Sequence, residues 1–164
     1  MDVKTRNIIG KNYSGTTRRT RHAAYAVVVD GGRVLLSHEV NINRWTLPGG
    51  GAEGHETPEE CCVREVEEET GLIVTPKRRF LIINELYGDR KFESSFFECE
   101  VVGHIERRLT EREIAVGTTP EWISIAEAAD IFSRHEYYAA TDEERRGIYL
   151  REYTALSEFM GELV

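Results

Sequence analysis

The sequence predicts a mixed α/β fold, in which helices and strands build one domain around a central sheet. Residues 79–86 and 92–102 are rich in β-branched and aromatic side chains, and the turn-like Gly88-Asp89 lies between them. A hairpin pattern precedes these strands, and a helix pattern with a clear beginning and end lies between the hairpin and the strands. At 164 residues, the chain has the length of one domain.

The first hairpin is the clearest strand signal. Residues 23–29 have strand composition, Asp30-Gly31-Gly32 has turn composition, and residues 33–37 supply the partner strand. Residues 1–22 carry six basic side chains against one acid. We therefore divide the chain into residues 1–22, a basic arm or edge strand, and residues 23–164, a single domain. An organelle transit peptide and a phosphate-attracting flap are alternatives for the arm.

The helix pattern has recognisable ends. Thr57 is the predicted N-cap, Pro58 the first helical residue, and Glu60 stands where it can complete a capping box. Gly71 should end the helix. An arc of small and apolar side chains can then pack against the sheet, namely Cys62, Val63, Val66 and Thr70.

Three carboxylates gather on another arc of the same helix. At about 100° per residue, Glu65, Glu68 and Glu69 share one face, while Glu67 points nearly opposite. Carboxylates at this spacing repel one another, so a positive group should compensate for their crowding. All-oxygen ligands suit Mg²⁺ or Mn²⁺, which also bind phosphate oxygens. Arg64, four residues before Glu68, can orient the carboxylates through an ion pair.

The rest of the chain gives weaker signals. Residues 73–74 have strand composition, residues 103–120 are polar and irregular, and residues 121–125 favour a short strand. Helices are predicted over residues 126–132 and, with interruptions, over residues 143–160.

Composition and charge exclude several classes of protein. A net charge of −8 argues against a protein that mainly grips nucleic-acid backbone. Cys61, Cys62 and Cys99 lack the spacing of a metal pair or a disulfide framework, so we expect buried thiols in a reducing compartment. No apolar run has the length of a membrane helix or secretory signal, so we expect a cytoplasmic protein. No P-loop or nucleophile elbow occurs.

The segment from Gly50 to Leu72 resembles the box of the MutT-like Nudix hydrolase family. Glu56 follows Gly50 at the family's spacing, and Arg64-Glu65-Val66-Glu67-Glu68-Glu69-Thr70-Gly71-Leu72 fills the remaining positions. The lead-in Trp45-Thr46-Leu47-Pro48-Gly49-Gly50 is also similar to the family's. A solvated acidic helix is the alternative interpretation, and Glu59, Glu60 and Glu67 keep it because no family position falls on them.

The resemblance implies a Nudix-type α/β/α sandwich with a central mixed sheet and a metal-dependent pyrophosphohydrolase. It implies that Glu68 and Glu69 bind Mg²⁺ or Mn²⁺, that Glu65 is a ligand or the general base, that Glu56 is a supporting ligand, and that Arg64 orients them. A backbone carbonyl from the glycines, such as that of Gly49, can complete the metal site because glycine permits close approach. His55 stands where many members have glycine, and we expect a surface side chain there.

Several assignments stay open at this point. Some Nudix subfamilies draw the base from another loop, and Glu111, Glu113 and Glu121 are the candidates here. Tyr87 lies where dinucleoside-polyphosphate hydrolases of the family place a tyrosine, so we expect a nucleoside or dinucleoside polyphosphate with Tyr87 seating a base. An ADP-ribose or nucleotide-sugar pyrophosphatase and a non-catalytic nucleotide-sensing domain are the alternatives. We expect a small nucleotide-like substrate, no stable nucleic-acid partner and no membrane partner, and leave a homodimer open.

Overall fold

A computed structural model describes residues 2–162, in which strands and helices are interspersed along the chain. The elements, in chain order, are β1 (Lys4–Ile9), β2 (Arg19–Asp30), β3 (Arg33–Glu39), β4 (Arg44–Thr46), β5 (Gly49–Gly51), α1 (Pro58–Thr70), β6 (Leu72–Tyr87), β7 (Arg90–His104), α2 (Glu111–Val116), β8 (Thr118–Ser124), α3 (Ile125–Ser133) and α4 (Glu143–Glu162). Short 3₁₀ helices cover Val40–Ile42 and His135–Tyr138.

The strands form a mixed sheet. Its order is β1-β6-β7-β2-β3-β4, with β5 added to β2 and β8 added to β3. The pairs β1–β6 and β2–β7 are parallel, whereas β6–β7 is antiparallel. The sheet therefore combines both kinds of ladder, as the family resemblance implied.

Helices cover both faces of this sheet. Ala24, Ala26 and Val28 of β2 belong to an apolar cluster that includes Cys62 and Val66 of α1. The alternate side chain of the same strand, Val27, belongs to a second cluster that α3 and α4 complete with Phe132, Tyr149, Leu156 and Phe159. Because successive strand residues face opposite sides, one strand packs on both helical layers. The predicted α/β/α sandwich is confirmed.

The hairpin and the helix ends agree with the sequence prediction. β2 and β3 pair through Val29 with Val34, and the turn places Gly31 at φ 57° and Gly32 at φ 77°. Two positive φ values in succession are typical of a type I′ hairpin, which glycine adopts without strain. At α1, the Thr57 hydroxyl accepts from the Glu60 backbone N–H, and Gly71 ends the helix at φ 77°.

Four predictions of secondary structure were wrong in extent. β6 continues from Leu72 to Tyr87, because a bulge near Pro76 keeps the two predicted pieces in one ladder. The irregular region 103–120 contains α2, which a Thr110–Glu113 capping box begins. β8 begins at Thr118 and ends at Ser124, so it starts earlier than the short strand predicted over residues 121–125. α4 runs without interruption, and it accommodates two glycines, Gly147 and Gly161.

The outer strand and the cysteines complete the description. β1 lies beside β6 at the sheet edge, and Lys4 and Arg6 form ion pairs with Glu158 of α4. The three thiols are buried and form no disulfide, as expected. The Cys62 and Cys99 sulfurs lie 3.8 Å apart. Within residues 2–162, no helix combines the length and apolar character needed to cross a membrane.

Replacing Thr57 with alanine should lower the free energy of unfolding by about 1 kcal/mol, because the first turn of α1 loses its side-chain acceptor. Thr57→Ser keeps the hydroxyl and serves as the control. Urea denaturation followed by circular dichroism measures both. Equal losses in the two variants would contradict a stabilising role for the cap.

Candidate active site

The orientation of α1 follows from what it buries. Cys61, Cys62 and Val66 are fully buried against the sheet, which fixes the rotation of the helix about its axis. Glu65 and Glu68 then lie at the edge of this contact, half-buried, whereas Glu69 is buried. The sheet-facing arc predicted from the sequence is confirmed for Cys62, Val66 and Thr70, while Val63 is half-buried.

Arg64 gathers three of the predicted site carboxylates. Its Nε and Nη2 donate to the two oxygens of Glu56, at 2.8 and 2.7 Å. Its Nη1 donates to Glu65 and to Glu68, both at 3.1 Å, and Nη2 also donates to the Gly51 carbonyl at 3.0 Å. A single guanidinium thus joins the loop before α1 to the acidic face of the helix, which is the orienting contact expected of Arg64.

The contact with Arg64 changes the pKa values of the groups that it joins. The two hydrogen bonds from Arg64 lower the pKa of Glu56 to about 2, so this carboxylate stays ionised. Burial raises the pKa of Glu65, although Arg64 opposes that change. The pKa of Arg64 itself is raised, chiefly by its bond to Glu56. Glu56 therefore holds Arg64 in place with both oxygens, and Glu65 shares the same cation more loosely.

Glu69 occupies a separate environment on the inner side of the helix. The Ser37 hydroxyl and the Gly49 backbone N–H donate to its carboxylate, and burial raises its pKa to about 8. It lines a cavity of about 230 Å³ together with Thr118, Arg112 and Glu113. Glu69 is thus the box carboxylate that faces inward, away from the Arg64 cluster.

The donor set fits a hard divalent cation. Among the described residues, no three His, Cys, Asp or Glu side chains are already arranged as a complete metal site. Mg²⁺ does not require such an arrangement, because it usually keeps several waters and binds one or two carboxylates. The candidate ligands offer only oxygen atoms, namely the carboxylates of Glu65, Glu68 and Glu69 and the backbone carbonyl of Gly49. This chemistry suits Mg²⁺ or Mn²⁺.

The glycines before α1 form a short strand, β5. β5 pairs with β2 in antiparallel fashion, and Gly49 has φ 151°. A Cβ atom at Gly49 would lie 2.2 Å from the Ala24 carbonyl, and one at Gly50 would lie 2.6 Å from Glu65 Oε2. Gly49 is therefore required by its contact with β2, and a side chain at Gly50 would displace the Glu65 carboxylate.

A larger cavity, of about 490 Å³, continues from this strand. Gly50 and Gly51 line one end, and Tyr87 lines the wall together with Phe92. The Tyr87 hydroxyl donates to Glu85 at 3.4 Å, and its ring meets the Phe92 ring edge-on. The structure therefore places the predicted substrate-binding tyrosine beside the box, although its role is still a prediction.

Three residues that the sequence analysis did not single out line both cavities, namely Tyr25, Ile148 and Arg151. The Arg151 guanidinium lies 4.3 Å from the centre of the Tyr25 ring. The neighbouring Glu152, fully buried, accepts from Arg151 at 2.7 Å and from the Leu47 backbone N–H at 2.6 Å. Nothing in the local sequence of α4 marks Arg151 or Glu152, because their role depends on tertiary contact with Tyr25 of β2 and with Leu47, which precedes β5.

The alternative bases lie in different places. Glu113 lines the cavity beside Glu69, but Glu111 is exposed on the first turn of α2. Glu121 is hydrogen-bonded to His38 on β3. His55 is exposed, as expected for a surface loop. Of the three candidates, only Glu113 adjoins the box.

Replacing Arg64 with methionine should lower the free energy of unfolding by about 1 to 3 kcal/mol without added metal, because three partly buried carboxylates lose their shared cation. Mg²⁺ should reduce the deficit by supplying charge to the same acids. Arg64→Lys keeps the positive charge but lacks the forked guanidinium. Its free energy of unfolding, measured by urea denaturation, should therefore lie between those of Arg64→Met and the unchanged protein. Equal stability of Arg64→Met and the unchanged protein would contradict this account.

Known proteins share both the sequence pattern and the fold. Residues 19–147 match the NUDIX domain model. Diphosphoinositol polyphosphate phosphohydrolase 3-alpha of Mus musculus is 33% identical over 103 residues, 63% of this chain and 61% of that protein. The 8-oxo-dGTP diphosphatase of Proteus vulgaris is 36% identical over 81 residues, 49% of this chain and 68% of that protein.

A solved structure gives the same answer for the fold. The MutT protein of Methanosarcina mazei Go1 superposes with a TM-score of 0.59 at 21% identity, over 88% of this chain and 96% of that one. The match to the mouse enzyme spans 61% of that enzyme's length. Since the domain model covers most of the sequence, from Arg19 to Gly147, the chain belongs to the Nudix domain family.

Proposed function

We propose that this protein hydrolyses a pyrophosphate bond in a nucleoside diphosphate derivative, with a divalent cation, Mg²⁺ or Mn²⁺, as cofactor. The observation that carries the proposal is the set of box carboxylates held by Arg64, of which Glu65 lies against Gly50, a residue that lines the 490 Å³ cavity. Nudix hydrolases generally use divalent metals. The acids beside this cavity would repel a phosphate substrate unless a cation offset their charge.

The proposed roles follow the contacts. Glu68 and Glu69 are metal ligands, and the Gly49 carbonyl is a further oxygen donor on β5. Glu65, which lies against Gly50, is a ligand or the base that accepts the proton of the attacking water. Arg64 and Glu56 orient these acids. A bound divalent cation would stabilise the charge that develops on the departing phosphate.

The substrate class we favour is a nucleoside or dinucleoside polyphosphate. Support comes from the aromatic wall that Tyr87 and Phe92 give the cavity, since a base can stack on such rings. The similar Proteus protein is named for a nucleotide substrate and the mouse protein for a polyphosphorylated one. ADP-ribose, a nucleotide sugar and binding without cleavage are the competing possibilities.

Glu68→Gln and Glu69→Gln should each lower kcat by about a hundredfold or more, because a neutral amide is a weaker metal ligand than a carboxylate. Glu67→Gln, which removes the same charge from the same helix, is the matched control and should retain activity. The measurement is phosphate or nucleotide release with Mg²⁺ or Mn²⁺, and with excess chelator, which should abolish it. Turnover in chelator, or an equal loss in Glu67→Gln, would refute the assignment.

Tyr87→Ala should raise the KM of the best nucleotide about tenfold, because base stacking on an aromatic ring is typically worth about 1–3 kcal/mol. Tyr87→Phe keeps the ring and should retain most of the affinity. The substrate is first chosen by comparing kcat/KM for nucleoside triphosphates, dinucleoside polyphosphates and ADP-ribose. An unchanged KM in Tyr87→Ala removes the stacking role, and a tenfold preference for ADP-ribose reverses the substrate ranking.

A further inference from the structure

Three arginines stand in a row at one end of the sheet, on the face that carries the 490 Å³ cavity. Arg19 and Arg21 lie on β2, and Arg90 lies on β7 directly beside Arg19 in the parallel register. Because side chains alternate along a strand, Arg19 and Arg21 point to the same side as Tyr25, which lines the cavity. Arg21 lines the cavity itself. We call these three residues the arginine row.

No carboxylate within residues 2–162 forms an ion pair with the arginine row. None of its three exposed side chains forms an ion pair or a side-chain hydrogen bond there. The opposite face of the same strand ends behaves differently, since Lys91 and His22 both pair with Glu93. On that opposite face, Lys91 and His22 thus have a carboxylate partner, which the side chains of the arginine row lack.

The carboxylates that line the cavity already interact with other arginines. Glu143 and Glu144 line it from α4, but Glu143 is hydrogen-bonded to Arg146 at 2.7 Å and Glu144 lies 3.4 Å from Arg44. Glu85, in the cavity wall, lies 3.8 Å from Arg151. None of these carboxylates neutralises the arginine row.

Crowded like charges destabilise neighbouring strands, so this row favours a bound anion. Neighbouring strands lie about 4.8 Å apart, so Arg19 and Arg90 are close enough for both to approach one anionic group. Guanidinium forks match phosphate oxygens in geometry as well as in charge. The chain as a whole has a net charge of −8, so three neighbouring arginines without a carboxylate partner form a locally positive region.

The arginine row is also connected to the box. A Cβ atom at Gly51 would lie 2.6 Å from Arg21 Nη2, so this guanidinium lies over the backbone of β5. The carbonyl of the same glycine accepts a hydrogen bond from Arg64. A ligand reaching from the box along the cavity would therefore meet Arg21 first and then Arg19 and Arg90.

We propose that the arginine row is a second anion site, which binds phosphate groups of the substrate beyond the diphosphate that is cleaved. This inference rests on the proposed function and narrows it to substrates that carry additional phosphates. The row gives such substrates an anchor that does not depend on the metal. A substrate with a single diphosphate reaches the box without this anchor.

Binding of inorganic tripolyphosphate in excess chelator tests the site apart from catalysis. Calorimetry should detect binding to the unchanged protein, and Arg19→Gln/Arg90→Gln should weaken it about five- to tenfold, as expected for two partly solvated guanidinium contacts. Arg33→Gln, an exposed arginine at the β2–β3 turn, is the control and should bind as the unchanged protein does. No binding in chelator, or equal binding by the double variant, would overturn the proposal.

Turnover separates this inference from the proposed function. In the double variant, the ratio of kcat/KM for diadenosine pentaphosphate to that for ADP-ribose should fall about fivefold or more, mainly through KM. An unchanged ratio overturns the role of the row in substrate selection. If the protein cleaves no substrate but loses tripolyphosphate binding in the double variant, the anion site stands and the proposed hydrolase activity fails.

Discussion

The mutual repulsion of the box carboxylates is the constraint on which the site depends. Glu56, Glu65 and Glu68 converge on Arg64, and this guanidinium compensates for charges that would otherwise push the loop away from α1. Glu69 faces inward, where burial raises its pKa and the charges of Glu113 and Glu65 add to that change. The network leaves carboxylate oxygens on either side of the helix edge, which is where a divalent cation can replace protein hydrogen bonds with stronger coordination.

The second constraint is the approach of the sheet to this helix. β5 can lie against Glu65 because it consists of glycine, and Glu152 on α4 fixes the preceding segment through the Leu47 N–H. A buried carboxylate that binds a backbone donor and Arg151 is costly to disturb, because removing either partner leaves an unpaired polar group. The C-terminal helix, outside the most informative motif, thus holds one wall of the cavity.

The sequence predicted those features that depend on local signals. The caps of α1 and the Gly31-Gly32 turn each follow from short-range stereochemistry, whereas burial separates Glu69 from the other two carboxylates of the predicted acidic face. The Thr110 capping box was as readable as that of Thr57, yet it lay in a polar region with no apolar periodicity. The contacts of Arg151 could not be predicted, because they join α4 to β2, far apart in the chain, and no local pattern encodes that pairing.

The most direct test of this account is Mn²⁺ binding, followed by the loss of the free-ion signal in electron paramagnetic resonance. Coordination by the box acids predicts that Glu68→Gln/Glu69→Gln weakens Mn²⁺ binding about tenfold or more, and that an added nucleotide tightens binding to the unchanged protein. Glu67→Gln should bind Mn²⁺ as the unchanged protein does. Undiminished Mn²⁺ affinity in the double variant would place the metal elsewhere and contradict the central claim.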